Sequence, residues 1–235
     1  MLNDSKTEFL IIALSQQLSN CDIRPLKHVR NLGTWFDNHV SMNTHIGKVC
    51  SKACRGLYNI RQIRKYLSPE STKCLIHAIV TSHLDCCNAL LYKRPQYQCD
   101  HQLQKVLNAA AWVTCLIPKF AHITPVLRGL HWLPVKFRVE FKIALSVFKT
   151  LNALAPQYLS ELLVVKPRTR CSLRSDSQTL LVIPKVTRKT FGDQAFFHAG
   201  PTVWNALPSS LRNCRNIDSF EVHLKTYLFK RAFNC

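Results

Sequence analysis

Ten histidines, eleven cysteines and thirteen acids are the residues of this chain that could hold a metal or move a proton. Structural zinc needs ligands paired at short spacing, with a second pair to close the tetrahedron. Cys50 and Cys54 form an i,i+4 pair, and His83 and Cys86 an i,i+3 pair, but neither has a second half. Cys214, His223 and Cys235 are too widely spaced for a zinc knuckle. The expectation is no metal site and no cofactor, with His83 a core histidine. Two-metal phosphoryl transfer requires clustered carboxylates, and no such cluster stands out. Asp85, between His83 and Asn88, reads as a hydrogen-bonder on a helix face. A phosphate loop, a nucleophile elbow and a kinase signature are all missing from the sequence. Cys–His nucleophilic chemistry stays open, because its partners need not be neighbours in sequence, but nothing favours it. No catalytic residue is assigned.

The other chemistry open to these residues is electrostatic. The 235 residues include 32 Lys+Arg against 13 Asp+Glu, a net charge of +19. Such a surplus favours polyanions. Lys48, Lys52 and Arg55 share one helical face, and Arg138, Lys142 and Lys149 fall on one line of another helix. Residues 166–189 carry Lys166, Arg168, Arg170, Arg174, Lys185, Arg188 and Lys189 against the single acid Asp176. Each group is a candidate phosphate contact. A solvated helix face accounts for the helical ones equally well. Aromatic residues beside such groups could stack on bases. His131-Trp132-Leu133-Pro134 and Gly200-Pro201-Thr202-Val203-Trp204-Asn205 are the candidates, although a Trp beside a Pro at an apolar boundary more naturally anchors a core.

The elements that must position these residues are mostly helical, with six Gly in the whole chain and prolines marking the breaks. Thr7–Leu14 and Val29–Phe36 are strand candidates that together suggest an N-terminal hairpin, and Asn31-Leu32-Gly33 offers a turn. Met42–Tyr66 reads as a helix with Ile46, Val49, Ala53, Leu57 and Ile60 on one stripe. Ser68-Pro69-Glu70 starts a second helix, with Ile76, Ile79, Val80, His83, Cys87 and Leu90 inward, running to about Tyr92. Asp100 would cap a third helix over Gln102–Ile117. Pro134 opens a fourth, reaching about Asn152, with a stripe of Phe137, Phe141, Ala144, Leu145, Phe148 and Leu151. Leu180–Ile183 looks like a strand. Ile217–Phe233 closes the chain as an amphipathic helix, with Phe220, Leu224, Tyr227 and Leu228 inward. The predicted fold class is mainly α with a small β part. It divides into an N-terminal hairpin (residues 1–40), a helical bundle (41–155) and a smaller, basic, mixed α/β extension (156–235).

The odd number of cysteines, several of them within helical runs, predicts free buried thiols in a reducing compartment. The N-terminus lacks the basic and apolar regions of a signal peptide. No apolar run approaches the ~18–20 residues of a membrane span. An intracellular chain, nuclear or cytoplasmic, without a membrane partner is expected.

Seven stretches in order resemble the C-terminal part of a LINE-type (non-LTR retrotransposon) reverse transcriptase of the jockey-like animal group. Leu2–Glu8 is similar to that family's LN-x-x-KTE segment, with Lys6 at its lysine. Val29–Asp37, containing Leu32 and Gly33, resembles its V-x-x-LG-x-x-x-D strand. Met42–Ile46 and Ile60–Arg64 resemble the thumb entry. Ser82–Asn88, with Asp85 and Asn88, resembles S-x-LDYCN. Leu127–Val135 is the most specific block and contains His131, Trp132, Leu133 and Pro134. Pro201–Pro208, with Trp204 and Asn205, resembles P-x-x-WN-x-LP, and Phe220–Phe229 resembles F-x-x-x-LK-x-x-LF.

The resemblance implies the edge of a palm, a helical thumb and a C-terminal extension. It implies RNA and DNA, as template–primer duplex, for partners, held by phosphate contacts that do not read sequence. The family's magnesium-binding aspartates and its endonuclease would lie upstream of Met1. The family activity, RNA-directed DNA polymerisation, is therefore not expected of this chain alone, and the rest of the parent polyprotein becomes a further partner. Without those aspartates the family lysine matched by Lys6 has no catalytic step to assist. Cys86 stands where Tyr is usual, Leu107 where Gln is usual, and Trp112 and Gln194 where Arg is usual. These departures also fit a decayed open reading frame.

Overall fold

The computed structural model describes residues 10–12, 26–93, 96–118, 120–167, 180–187 and 192–234. The described chain is mainly helical, with one two-stranded antiparallel sheet. It divides into two compact units: residues 1–87 with 96–116, and residues 88–95 with 117–235.

The first unit begins with the sheet. Strand β1 (His28–Asn31) pairs with β2 (Thr34–Asp37), Asn31 opposite Thr34 and Val29 opposite Phe36. The joining residues Leu32 and Gly33 both have positive φ, +45° and +90°. Two left-handed residues in a two-residue loop match the twist of the strands they join. The expected strand over Val29–Phe36 is thus a whole hairpin folded at Leu32-Gly33. Of the other expected strand, Thr7–Leu14, only residues 10–12 are described, and they carry no strand.

Helix α1 (Asn43–Ile63) buries Ile46, Ala53, Leu57 and Ile60 of its predicted stripe, with Val49 only half-buried, and tightens into a 3-10 turn at Arg64–Tyr66. Helix α2 (Pro69–Leu75) starts as its sequence dictates, with the Ser68 hydroxyl accepting the Ser71 N–H at 3.1 Å. It passes into a π-helical turn, Ile76–Thr81, and then α3 (Ser82–Asp85). The helix therefore ends at Asp85, short of the expected Tyr92, because Cys86 turns extended (ψ 118°) and Cys87 follows with a positive φ of 53°. The wider π turn also rotates the stripe. Ile76, Val80 and Leu84 are buried, whereas Ile79 is exposed and His83 only half-buried. Helix α4 (Gln96–Cys115) closes the unit. It starts earlier than expected, directly after Pro95, so Asp100 lies inside the helix and does not cap it.

Two contacts fix this bundle. A Cβ built on Gly56 would collide with the Ile79 side chain, so α1 approaches the π turn where α1 has no side chain. Arg64 is buried at 7% exposure and spends its guanidinium on main-chain carbonyls: Nε to Val113 O at 3.0 Å, Nη2 to Thr114 O at 2.9 Å, and Nη1 to Leu67 O at 2.9 Å. It thereby satisfies carbonyls that the end of α4 leaves without helical partners.

The second unit is built around α6 (Val135–Leu151), preceded by a 3-10 turn (Asn88–Leu91) and α5 (Ile123–Gly129). It is followed by α7 (Gln157–Ser160), α8 (Phe196–Asn205), α9 (Ser209–Arg212) and α10 (Ile217–Phe233). The buried side of α6 is Val135, Val139, Ile143, Ala144, Val147 and Phe148. Phe137, Phe141 and Leu151 from the expected stripe are only partly buried. Phe148 stacks on Phe220 of α10 at 4.3 Å, and Trp204 of α8 meets the same ring at 5.9 Å. Helix α10 matches its predicted bounds and buries Phe220, Leu224 and Leu228, with Tyr227 half-buried. Arg231 holds Glu140 of α6 at 2.9 Å. These contacts place α6 with the C-terminal helices, so the compact units divide the chain elsewhere than at residues 40 and 155. The expected strand over Leu180–Ile183 makes one isolated antiparallel bridge, Leu181 to Val165.

Candidate nucleic-acid interface

The first unit presents a basic face with one aromatic ring in it. Lys48, Lys52 and Arg55 are all exposed, in line along α1. Lys48 Nζ lies 5.6 Å from the centre of the Trp35 ring, within cation–π range. On the hairpin, Trp35 is paired across the sheet with Arg30, and strand alternation puts His28 on that same side. The His28 ring stands edge-on to Trp35 at 5.5 Å, and both His28 and Arg30 are exposed. Phosphates could sit along the cations while a base or sugar meets the half-buried indole. Sequence reasoning found the α1 line but missed His28, Arg30 and Trp35 as its neighbours. The alternation across a hairpin turning at Leu32-Gly33 is what would have revealed them.

Two polar groups hold the hairpin against α1. His45 is buried at 2% exposure, and its Nδ1 accepts the Trp35 N–H at 3.4 Å. Burial pushes the His45 pKa below its ordinary value, and a hydrogen bond to the Cys86 backbone only partly restores it. The ring therefore works as a neutral imidazole between hairpin and helix. Asp37 accepts hydrogen bonds from Ser41 N at 2.7 Å, Ser41 Oγ at 2.7 Å and His39 N at 3.1 Å. Burial raises the Asp37 carboxyl, but these hydrogen bonds outweigh it and the net shift is downward. Asp37 is thus a brace for the turn into α1.

The other expected phosphate contacts are less uniform. Lys142 is exposed on α6, Lys149 is half-buried, and Arg138 is half-buried with Nε donating to Leu133 O at 2.8 Å. Arg168, Arg170, Arg174, Arg188 and Lys189, and Lys6 at the N-terminus, lie outside the described residues.

The remaining motif residues prove to be joints. Helix α5 ends with Trp132 N–H reaching Leu127 O at 2.9 Å and His131 N–H reaching Arg128 O at 3.1 Å, while His131 has φ +56°. That is a Schellman termination with histidine at the left-handed position. His131 is exposed and rests on Phe229 at 5.3 Å, Trp132 and Leu133 are buried, and Pro134 caps α6. Trp204 is 1% exposed, so both tryptophans are core anchors and unavailable for stacking. Asn205 gives its whole amide to the main chain of Leu181, accepting its N–H at 2.9 Å and donating to its carbonyl at 2.8 Å. Asp85 is half-buried at the end of α3, and Asn88 is 2% exposed in the turn that follows.

Among the described residues no group of three or more His, Cys, Asp or Glu is placed to hold a metal, and no helix is long and apolar enough to cross a membrane. The described thiols Cys50, Cys54, Cys74, Cys86, Cys87, Cys115 and Cys214 are free. They are not buried as expected: Cys54, Cys74 and Cys86 are exposed off the apolar stripes, Cys87, expected inward, is exposed because it lies past the end of α3, and the others are half-buried. No protein-family model matches the chain, no curated protein is significantly similar to it, and no solved structure matches it.

Proposed function

We propose that the chain is a thumb and C-terminal part of a LINE-type reverse transcriptase, gripping template–primer duplex without reading its sequence. In this reading the hairpin is a palm edge, and the chain's own residues position nucleic acid while taking no part in chemistry. The ordered motifs motivate the family. The observation that carries the binding role is the face of Lys48, Lys52 and Arg55 with Lys48 over Trp35. Binding of an RNA–DNA hybrid, titrated with salt, tests it. Affinity driven by phosphates falls steeply with salt, by about 0.9 in log K per log unit of salt for each phosphate neutralised on duplex DNA. A flat profile, or no binding at low salt, would exclude the role.

A second reading is a remnant whose helices once packed on a partner, with no activity of its own. Exposed apolar groups in the first unit favour it: Tyr58, Ile63 and Tyr66 on and after α1 are 63%, 47% and 77% exposed. So do the two sites where the family resemblance leads one to expect Arg. Trp112 Nε1 and Gln194 Oε1 are each buried with no hydrogen-bond partner among the described residues. Aggregation that a palm-domain fragment relieves would support this reading, and a stable monomer indifferent to such a fragment would count against it.

A further inference from the structure

The first unit carries a chemical group that nucleic-acid binding does not use. Cys86 and Cys87 are adjacent, both exposed, and their sulfurs lie 3.9 Å apart, with the Cys86 thiol directed at Cys87 Sγ. They form the turn that ends α3, Cys86 extended at φ −68° and Cys87 left-handed at φ +53°. Lys52 lies close enough to favour the Cys86 thiolate, although burial first, and then Cys87, raise that thiol's pKa overall. We propose that Cys86–Cys87 is a thiol–disulfide exchange site that closes to a vicinal disulfide when it meets a small-molecule disulfide such as oxidised glutathione.

The step balances without another oxidant. One cysteine thiolate attacks a sulfur of the reagent, forming a mixed disulfide and releasing one glutathione thiol. The neighbouring thiolate attacks the protein sulfur of that mixed disulfide, forming the Cys86–Cys87 bond and releasing the second thiol. The two cysteines lose two hydrogens, and the reagent gains them. Consecutive Cα atoms are about 3.8 Å apart, below the ~4.4–6.8 Å usual for disulfides. The ring is therefore strained, which puts it among the easily reduced, reversible disulfides. The nearest rival pair on α1 is less apt: burial, with Cys54 adding to it, pushes the Cys50 thiol up to about 11, so little of it is thiolate near neutral pH.

Closure would also reach the basic face. The Cys86 backbone is hydrogen-bonded to the His45 ring, which in turn accepts the Trp35 N–H. Twisting the Cys86–Cys87 peptide pulls on the group that holds the hairpin.

The test uses the full chain in a glutathione redox buffer, followed by acid quenching, alkylation, trypsin and mass spectrometry. Cleavage after Lys73 and Lys93 releases residues 74–93, which contain Cys74, Cys86 and Cys87. The expected product has Cys74 alkylated and Cys86 linked to Cys87, two hydrogens lighter, and dithiothreitol reverses it. Cys86→Ser and Cys87→Ser each replace the link with a glutathione adduct on the remaining cysteine. Alkyl label or glutathione on both Cys86 and Cys87 of the unmutated chain, or a link from either to another cysteine, would overturn the proposal. Hydrogen exchange over residues 28–37 is expected to speed up in the oxidised chain, and unchanged exchange would overturn the coupling to the hairpin.

Discussion

Asn205 shows how a side chain can stand in for a strand. Its amide presents one acceptor and one donor to Leu181, as a neighbouring main chain would, and so ties residues 180–183 to the end of α8. Asn205→Ala removes both bonds and leaves two main-chain groups unsatisfied. A loss of about 2 kcal/mol is expected, read as a lower midpoint in urea denaturation. His45 gives a pH dependence. Its pKa in the folded chain lies below the ordinary value near 6.5, so its contribution is complete above that value and is lost as pH falls toward the lowered one. Hydrogen exchange at the Trp35 amide, corrected for the intrinsic pH dependence of exchange, should become less protected as pH falls below about 6.5 and stay constant above it. His45→Gln should flatten that change, and protection that grows on acidification would contradict the assignment. Sequence exposes such roles only when they are local. Ser68-Pro69-Glu70 announces its helix within four positions. The carbonyls that Arg64 serves are 49 and 50 residues away, so its motif position gave no hint of its task.

The helices end in an unusual way. The chain has six Gly, and nine described non-Gly residues take positive φ, among them Leu116, His131 and Ala153 at helix ends. Ala153 is exposed, with Leu154 N–H reaching back to Lys149 O at 2.8 Å, so α6 ends on a left-handed alanine. Ala153→Gly removes that strain without losing a contact and should stabilise the chain by about 1 kcal/mol, seen as a higher thermal midpoint. Gly56→Ala should act in the opposite sense, because the new methyl meets Ile79. Overpacking of this kind costs about 1–3 kcal/mol. Helix periodicity made α1, α6 and α10 legible within a few residues. It could not show the π turn at Ile76–Thr81, which carries the stripe from Val80 to Leu84, or the extended Cys86 and left-handed Cys87 where the helix stops. The hairpin was half legible: Gly33 marked the turn, but both described strands lie within the one motif, folded at Leu32-Gly33.

For the whole chain, the +19 surplus is a statement about long-range attraction, and the fold decides which cations can act on it. Arg64 and Arg138 are engaged with main-chain carbonyls, and Arg231 with Glu140. Lys48, Lys52 and Arg55 stand exposed in line. Composition alone cannot separate these classes, because a buried capping Arg and a phosphate-binding Arg count equally. The most direct test of the proposed grip compares salt-titrated binding of an RNA–DNA hybrid by the unmutated chain and by a Lys48→Ala, Lys52→Ala, Arg55→Ala triple variant. The account predicts a steep slope for the unmutated chain and one shallower by about 2–3 for the variant, since each lost phosphate contact removes about 0.9. Equal slopes for the two proteins, or a flat profile for the unmutated chain, would contradict it.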